Sequence, residues 1–176
     1  VLPANCVAKA RAVGVPEEVA LRGMKKTEPD TGAMSDMKLD FFGRRIHFIN
    51  GFAANDPEST GMIWQMSLEK HPGVQRRIMI INCRIDRPDR SRQIGEALAR
   101  WERADRYILI GSGSYFLVRY AVRDGIDARL FTNAEDLETE VVFEEVLKYC
   151  KKSTLVMGIG NIAGPGLELI TYFRNR

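Results

Sequence analysis

Asn50-Gly51-Phe52-Ala53-Ala54-Asn55-Asp56-Pro57-Glu58-Ser59-Thr60 decides how this chain is read. An apolar, strand-like run, Arg45–Asn50, ends as it begins. Pro57 suits the first turn of a helix and Asp56 its N-cap. The stretch is therefore a small, flexible turn from strand to helix, which is where an α/β protein sets backbone groups beside a ligand.

The plan repeats downstream. The helix after Pro57 carries Ile63, Trp64 and Leu68 and stops before Pro72-Gly73. Arg77–Asn82 is a buried-type strand, followed by the charged loop Cys83–Arg90 and a helix ending near Trp101. Arg106–Ile110 is the next strand, then Gly111-Ser112-Gly113-Ser114 and a helix to Asp124. A short strand over Ala128–Phe131 precedes a helix over 134–149. Ser153–Met157 is the last strand, with Gly158-Ile159-Gly160-Asn161 after it and a final helix from about Pro165. Such alternation predicts a parallel sheet with helices on both faces.

Upstream, Met37–Phe42 and Arg45–Asn50 flank Gly43-Arg44 as a hairpin. Residues 27–36, broken by Pro29 and Gly32, form a linker. Before it stand two short helices, the second opened by Pro16 with Glu17 and Glu18 in its first turn, where the helix dipole favours acids. The expectation is an α/β chain: a three-layer αβα Rossmann-like domain over 37–176, its sheet mostly parallel with an N-terminal hairpin, preceded by a short helical fragment over 1–26.

Composition narrows the classes. Of 176 residues, 45% are hydrophobic, enough for a core, and 26 basic against 23 acidic residues are too balanced to indicate nucleic acid. Cys6, Cys83 and Cys150 are odd in number and far apart, with no metal-ligand spacing to His47 or His71, so no metal site is expected and reduced thiols in a cytoplasmic setting are. No run approaches the roughly 20 apolar residues of a membrane span.

Four strand-end loops should gather on one sheet edge. Asn55 and Asp56 can hold a ribose or an adenine edge, or simply make the turn and cap the helix. Arg84, Arg87 and Arg90, with Asp86 among them, can clamp phosphates or carboxylates, or form a solvated turn of local ion pairs. Ser112 and Ser114 lack a Gly-x-Ser-x-Gly setting and read as hydrogen-bond donors to a carboxylate or as caps. Cys83 reads as a small buried residue in preference to a nucleophile. Gly158-x-Gly160 is followed by Gly164, which departs from the dinucleotide spacing. Gly160 and Asn161 instead suit a loop holding a carboxylate or phosphate at a helix start. No P-loop motif occurs. His47, in a strand pattern, and His71, beside a Pro-Gly turn, read as structural.

Three of these segments, Phe48–Asp56, Asn82–Arg90 and Gly158–Ile162, with Pro29-Asp30-Thr31-Gly32-Ala33-Met34, resemble the poly-γ-glutamate synthase ligase subunits of the CapB/PgsB type, in the Mur ligase superfamily. The resemblance covers essentially this whole chain but only the C-terminal part of that family's protein. It implies an ATP-dependent, ADP-forming amide ligase that joins glutamate through γ-linkages. ATP and Mg would be held mainly by an upstream ATP-binding domain, whose last helices residues 1–26 resemble. The C-terminal domain would close over the nucleotide and be inactive alone, so no catalytic residue is assigned here. By position, the resemblance implies nucleotide contacts for Asn55 and Asp56. It places Arg84, Asp86, Arg87 and Arg90 in a charged loop facing the cleft, and gives Ser112, Ser114, Gly160 and Asn161 to the incoming amino acid. It further implies poly-γ-glutamate and membrane-bound synthase subunits as partners, at the inner face of the membrane. Two departures stand out: no Gly-Arg pair follows Gly32, and the Mur-type Asp-Tyr-Ala-His-Asn-Pro loop reads here Gly-Phe-Ala-Ala-Asn-Asp-Pro. A non-catalytic Rossmann-like nucleotide-binding or interaction module is the alternative, and a self-contained enzyme using Cys83 a third.

Overall fold

The computed structural model describes residues 2–26, 34–54 and 56–176. Two compact units result, divided between Asp30 and Thr31. The first holds helices α1 (Leu2–Ala12) and α2 (Glu17–Lys26). Most of the predicted linker, and Asn55, lie outside the described residues.

The second unit is built on a six-stranded sheet in the order β1-β2-β6-β3-β4-β5. Its strands are β1 (Ser35–Phe41), β2 (Arg44–Asn50), β3 (Arg76–Cys83), β4 (Arg106–Gly111), β5 (Phe131–Asn133) and β6 (Ser153–Gly160). β1 pairs antiparallel with β2, and every other pairing is parallel. Helices α3 (Pro57–Lys70), α4 (Pro88–Leu98), α5 (Tyr115–Arg123), α6 (Thr139–Tyr149) and α7 (Pro165–Arg174) complete it.

Strand alternation sorts the core into two clusters. Ile46, Phe48, Ile78, Ile80 and Val156 point to one face and meet Phe143 of α6 and Ile170 and Phe173 of α7. Ile49, Met79, Ile81, Leu155 and Met157 point to the other and meet Trp64 of α3, Leu98 of α4 and Leu117 of α5. The three-layer αβα architecture with its antiparallel hairpin is as the sequence predicts.

Several boundaries differ, each for a local reason. The hairpin turn is Phe42-Gly43, one residue earlier than expected. Both residues have positive φ (47° and 73°), the primed geometry that matches strand twist. The strand expected at Ala128–Phe131 is instead a 3-10 turn over Ala128–Leu130, because the Asp127 carboxylate accepts from the Arg129 N–H; the strand follows it. Helix α6 begins at Thr139 and not near 134, after Asp136 takes a φ of 59°. β6 runs on through Gly158 to Gly160, so the loop read as 158–164 is shorter. A side chain at Gly158 would strike the buried Phe52 ring, which is why a glycine stands mid-strand there.

Candidate functional site at the carboxyl edge of the sheet

Because β2, β6, β3 and β4 are neighbours in that order, the segments leaving their carboxyl ends lie side by side. Asn82, penultimate in β3 and 3% exposed, ties two of them together. Its carbonyl accepts from the Asn161 N–H at 3.0 Å. Its Nδ2 donates to the carbonyls of Asn161 at 2.6 Å and Ala163 at 3.1 Å. Those two acceptors fix the amide, since a flip would set Oδ1 against oxygens. Oδ1 itself is buried and has no partner among the described residues. An unpaired buried acceptor costs about 1–3 kcal/mol, so it marks a place where a donor is wanted.

Glycine lets the strands close around this amide. Gly160 has a φ of 91°, and a Cβ there would lie 2.5 Å from the Asn82 carbonyl oxygen. Gly111, at φ 84°, leaves no room for a Cβ against Asn82 Oδ1 and the Cys83 carbonyl.

An open cleft of about 370 Å³ lies over these groups, lined by Asn82, Arg84, Gly111, Ser112, Asp136 and Asn161 together with the start of α7. A narrower recess beside it is lined by Arg87, Arg90 and Ser91 and shares Asn82, Cys83, Arg84 and Asn161 with the cleft. The N-cap positions of α4 (Arg87) and α7 (Gly164) make no side-chain capping bond. The N–H groups of a first helical turn, uncapped, favour an anion. α5 likewise has no side-chain cap from its N-cap Ser114, but a carboxylate already stands at its start: the Ser114 N–H donates to Glu135 at 2.6 Å.

Each predicted residue has a definite place. Asp56 caps α3, accepting from the Ser59 N–H at 2.8 Å, and that bond holds its carboxyl below the usual range. Arg84 and Asp86 form a two-bond pair with each other, at 2.9 and 2.6 Å, in the open. Ser112 donates its N–H to the Cys83 carbonyl, and its Oγ accepts from the Ile85 N–H. The structure thus brings Arg84, Arg87, Arg90, Ser112 and Asn161 together, with Gly160 supporting Asn82 from behind. Asp56, Asp86 and Ser114 are not among the residues lining either hollow. Cys83 is buried, which pushes its thiol up to about 12. It is neutral at physiological pH and unsuited to nucleophilic work.

Sequence reasoning missed two residues. In sequence Asn82 reads as the end of a buried-type strand and the start of a charged loop, with no role of its own, although an amide closing an apolar strand run is itself a signal. Asp136, whose positive φ is costly for a residue with a side chain, left no mark in the sequence.

Residues 37–176 match the family described as the poly-gamma-glutamate synthase CapB C-terminal domain. The chain belongs to that family. It is 36% identical over 161 residues to PGA synthase CapB of Bacillus subtilis (strain 168), covering 92% of this chain and 41% of that one. It is 34% identical over 164 residues to the capsule biosynthesis protein CapB of Bacillus anthracis, covering 93% and 35%. This CapB-type chain therefore spans less than half the length of these curated relatives. Among solved structures it resembles the UDP-N-acetylmuramoylalanyl-D-glutamyl-2,6-diaminopimelate–D-alanyl-D-alanyl ligase of Acinetobacter baumannii. The TM-score is 0.57 at 16% identity, over 95% of this chain and 34% of that one. It also resembles a murein peptide ligase of Psychrobacter arcticus, with a TM-score of 0.53 at 13% identity, over 97% and 35%. At such identities the likeness is one of fold, shared with about a third of each of those ligase chains. No helix among the described residues is long and apolar enough to cross a membrane.

Proposed function

We propose that this chain is the substrate-closing C-terminal domain of an ATP-dependent, ADP-forming ligase that joins glutamate through γ-linkages, and that it is inactive without the P-loop domain that would precede it. The observation that carries this is the collinear similarity to CapB of Bacillus subtilis over 92% of the chain. The cleft supports it chemically. Arg87, Arg90 and the open starts of α4 and α7 suit carboxylate and phosphate oxygens. The Asp136 carboxylate and the Ser112 hydroxyl on the cleft wall suit a donor such as an amine. A site offering both kinds of partner fits an amino acid.

In the parent protein ATP would activate a carboxylate as an acyl phosphate for attack by the amino group of the incoming glutamate. This chain's part is to orient that amino acid and to keep water from the activated group as the domain closes. The two hollows set one carboxylate, Asp136, against Arg84, Arg87 and Arg90, a balance that suits phosphate oxygens better than Mg, which takes its ligands from carboxylate, phosphate and water oxygens. Magnesium is accordingly assigned to residues outside the chain. Asp56, with one oxygen committed to its cap, and Asn55 would approach the nucleotide from the α3 side. Membrane-bound synthase subunits are the proposed partners, at the inner face of a membrane.

Glutamate-dependent ADP release by the parent protein tests the reading. Arg87→Ala and Asn82→Asp should each lower it by about tenfold or more, while the 176-residue chain alone should release none. Turnover of ATP by the chain alone, or parent variants with unchanged rates, would overturn the proposal. Tight NAD binding by the chain would point to a nucleotide-binding module in its place.

A further inference from the structure

The chain's two histidines, His47 and His71, are 24 residues apart yet meet. Their ring centroids lie 4.1 Å from each other, with the planes tilted by 34°. Asp36 joins them: its Oδ2 is 3.0 Å from His71 Nε2. One ligand atom from each of the three lies within 4.8 Å of the others. Three separate elements supply them. Asp36 comes from the edge strand β1 and His47 from β2, on the face that carries α3. His71 is the C-cap residue of α3, pinned by its N–H to the Ser67 carbonyl at 3.1 Å and followed by Pro72-Gly73. The hairpin register, Asp36 opposite Ile49 and Lys38 opposite His47, puts Asp36 and His47 on one face, two positions apart.

We propose that Asp36, His47 and His71 form a binding site for a borderline divalent transition ion, Zn²⁺ above all. Two imidazoles and one carboxylate are the donor set such an ion prefers, and they are a poor one for Mg²⁺ or Ca²⁺. Bonds of about 2.0–2.2 Å place the ligand atoms of a tetrahedral ion some 3.4 Å apart. The Asp36–His71 pair, at 3.0 Å, is already near that spacing, and with all three ligand atoms within 4.8 Å of one another the set needs a shift on the order of 1 Å to close. Three protein ligands leave the fourth position to water or to a partner's side chain.

The surrounding charges allow it. Lys38 and Arg45, beside His47, are both turned to Asp40, at 3.5 and 3.3 Å. Lys70 is the competitor, its Nζ 2.6 Å from Asp36 Oδ2. It sits on a 64% exposed side chain, so releasing it to water costs little. A bound ion would fasten the first strand of the larger unit to β2 and to the end of α3. This inference stands apart from the ligase reading, because the cluster shares no residue with the strand-end cleft.

The test is a Co²⁺ titration of the 176-residue chain, prepared without a polyhistidine tag. Cys6 is replaced by Ser because it is an exposed free thiol. Visible absorption of the bound ion should saturate at one equivalent and vanish on adding Zn²⁺. His47→Ala and His71→Ala should each weaken binding by more than about tenfold, and Lys70→Ala should leave it equal or tighter. His47→Gln, which keeps the side-chain volume on the sheet, supplies the same reading should an alanine variant fail to fold. Absence of a saturable band, or binding that survives in both histidine variants, would overturn the proposal.

Discussion

Helices α3, α4 and α7 all start just beyond the carboxyl end of a parallel strand, and all three have proline in their first turn. They differ one residue earlier. α3 has Asp56, which closes its own helix start by accepting from Ser59. α4 has Arg87 and α7 has Gly164, and neither makes a side-chain cap. The first helix start is finished by its own side chain and belongs to stability. The other two are left open with arginine beside them, and on the function proposed above they are the ones that would meet an anion. Proline at the first turn says only that a helix begins; the residue before it says what the beginning is for.

The largest effect should come from the glycine that lets the β6–α7 connection approach β3. Gly160→Ala adds a Cβ 2.5 Å from the Asn82 carbonyl oxygen, on a backbone with φ of 91°. Strain and overpacking together should cost about 3 kcal/mol, visible as a lower denaturation midpoint with an unchanged slope in urea. A loss near zero would mean that the α7 start is not held in place by Asn82.

Asn82→Asp comes next. It would set a carboxylate oxygen where Nδ2 now donates to two carbonyls at 2.6 and 3.1 Å. Acceptor facing acceptor in a buried position should cost about 2 kcal/mol and would place a negative charge beside the open start of α7. Pyrophosphate binding to the chain, followed by calorimetry, should therefore weaken more than stability alone explains. Asn82→Ala, which adds no charge, should weaken it less.

How much of this was legible follows from the range of the interactions involved. Strand and helix order follows from runs and turns a few residues long, and the sheet and its helices come in that order. Asp56 was legible as a cap because its partner is three residues away. Gly158 reads in sequence as the start of the loop after the last strand and is a strand residue, since the reason for it is Phe52, more than a hundred positions distant. Asn82 was passed over because the carbonyls that make it a hub lie 79 and 81 residues on. His47 and His71 each read as structural from their own neighbours in sequence. Their meeting depends on how the hairpin pairs and where α3 ends, which spacing does not disclose.

Exchanging the caps sharpens the comparison further. Asp56→Ala should cost about 1 kcal/mol of stability and leave pyrophosphate binding intact. Arg87→Asp should do the reverse: give α4 a favourable acid at its start, gain a few tenths of a kcal/mol, and weaken pyrophosphate several-fold. If the two variants behave alike in either measurement, the division into a closed start and open starts is wrong.

The smallest effect lies in the pH dependence of the closed start. The bond from the Ser59 N–H holds the Asp56 carboxyl below its ordinary value. A depressed carboxylate contributes stability that is present above its unfolded pKa, about 3.9, and is lost as pH falls through the folded value. The side chain is exposed, so the contribution is a few tenths of a kcal/mol. Asp56→Asn keeps the cap, because asparagine caps about as well, but cannot titrate. Denaturation midpoints of the parent chain and of Asp56→Asn should therefore run parallel from pH 7 to about 5 and converge or cross below about 4. Curves that remain parallel to the lowest pH would show that the cap works through its shape alone.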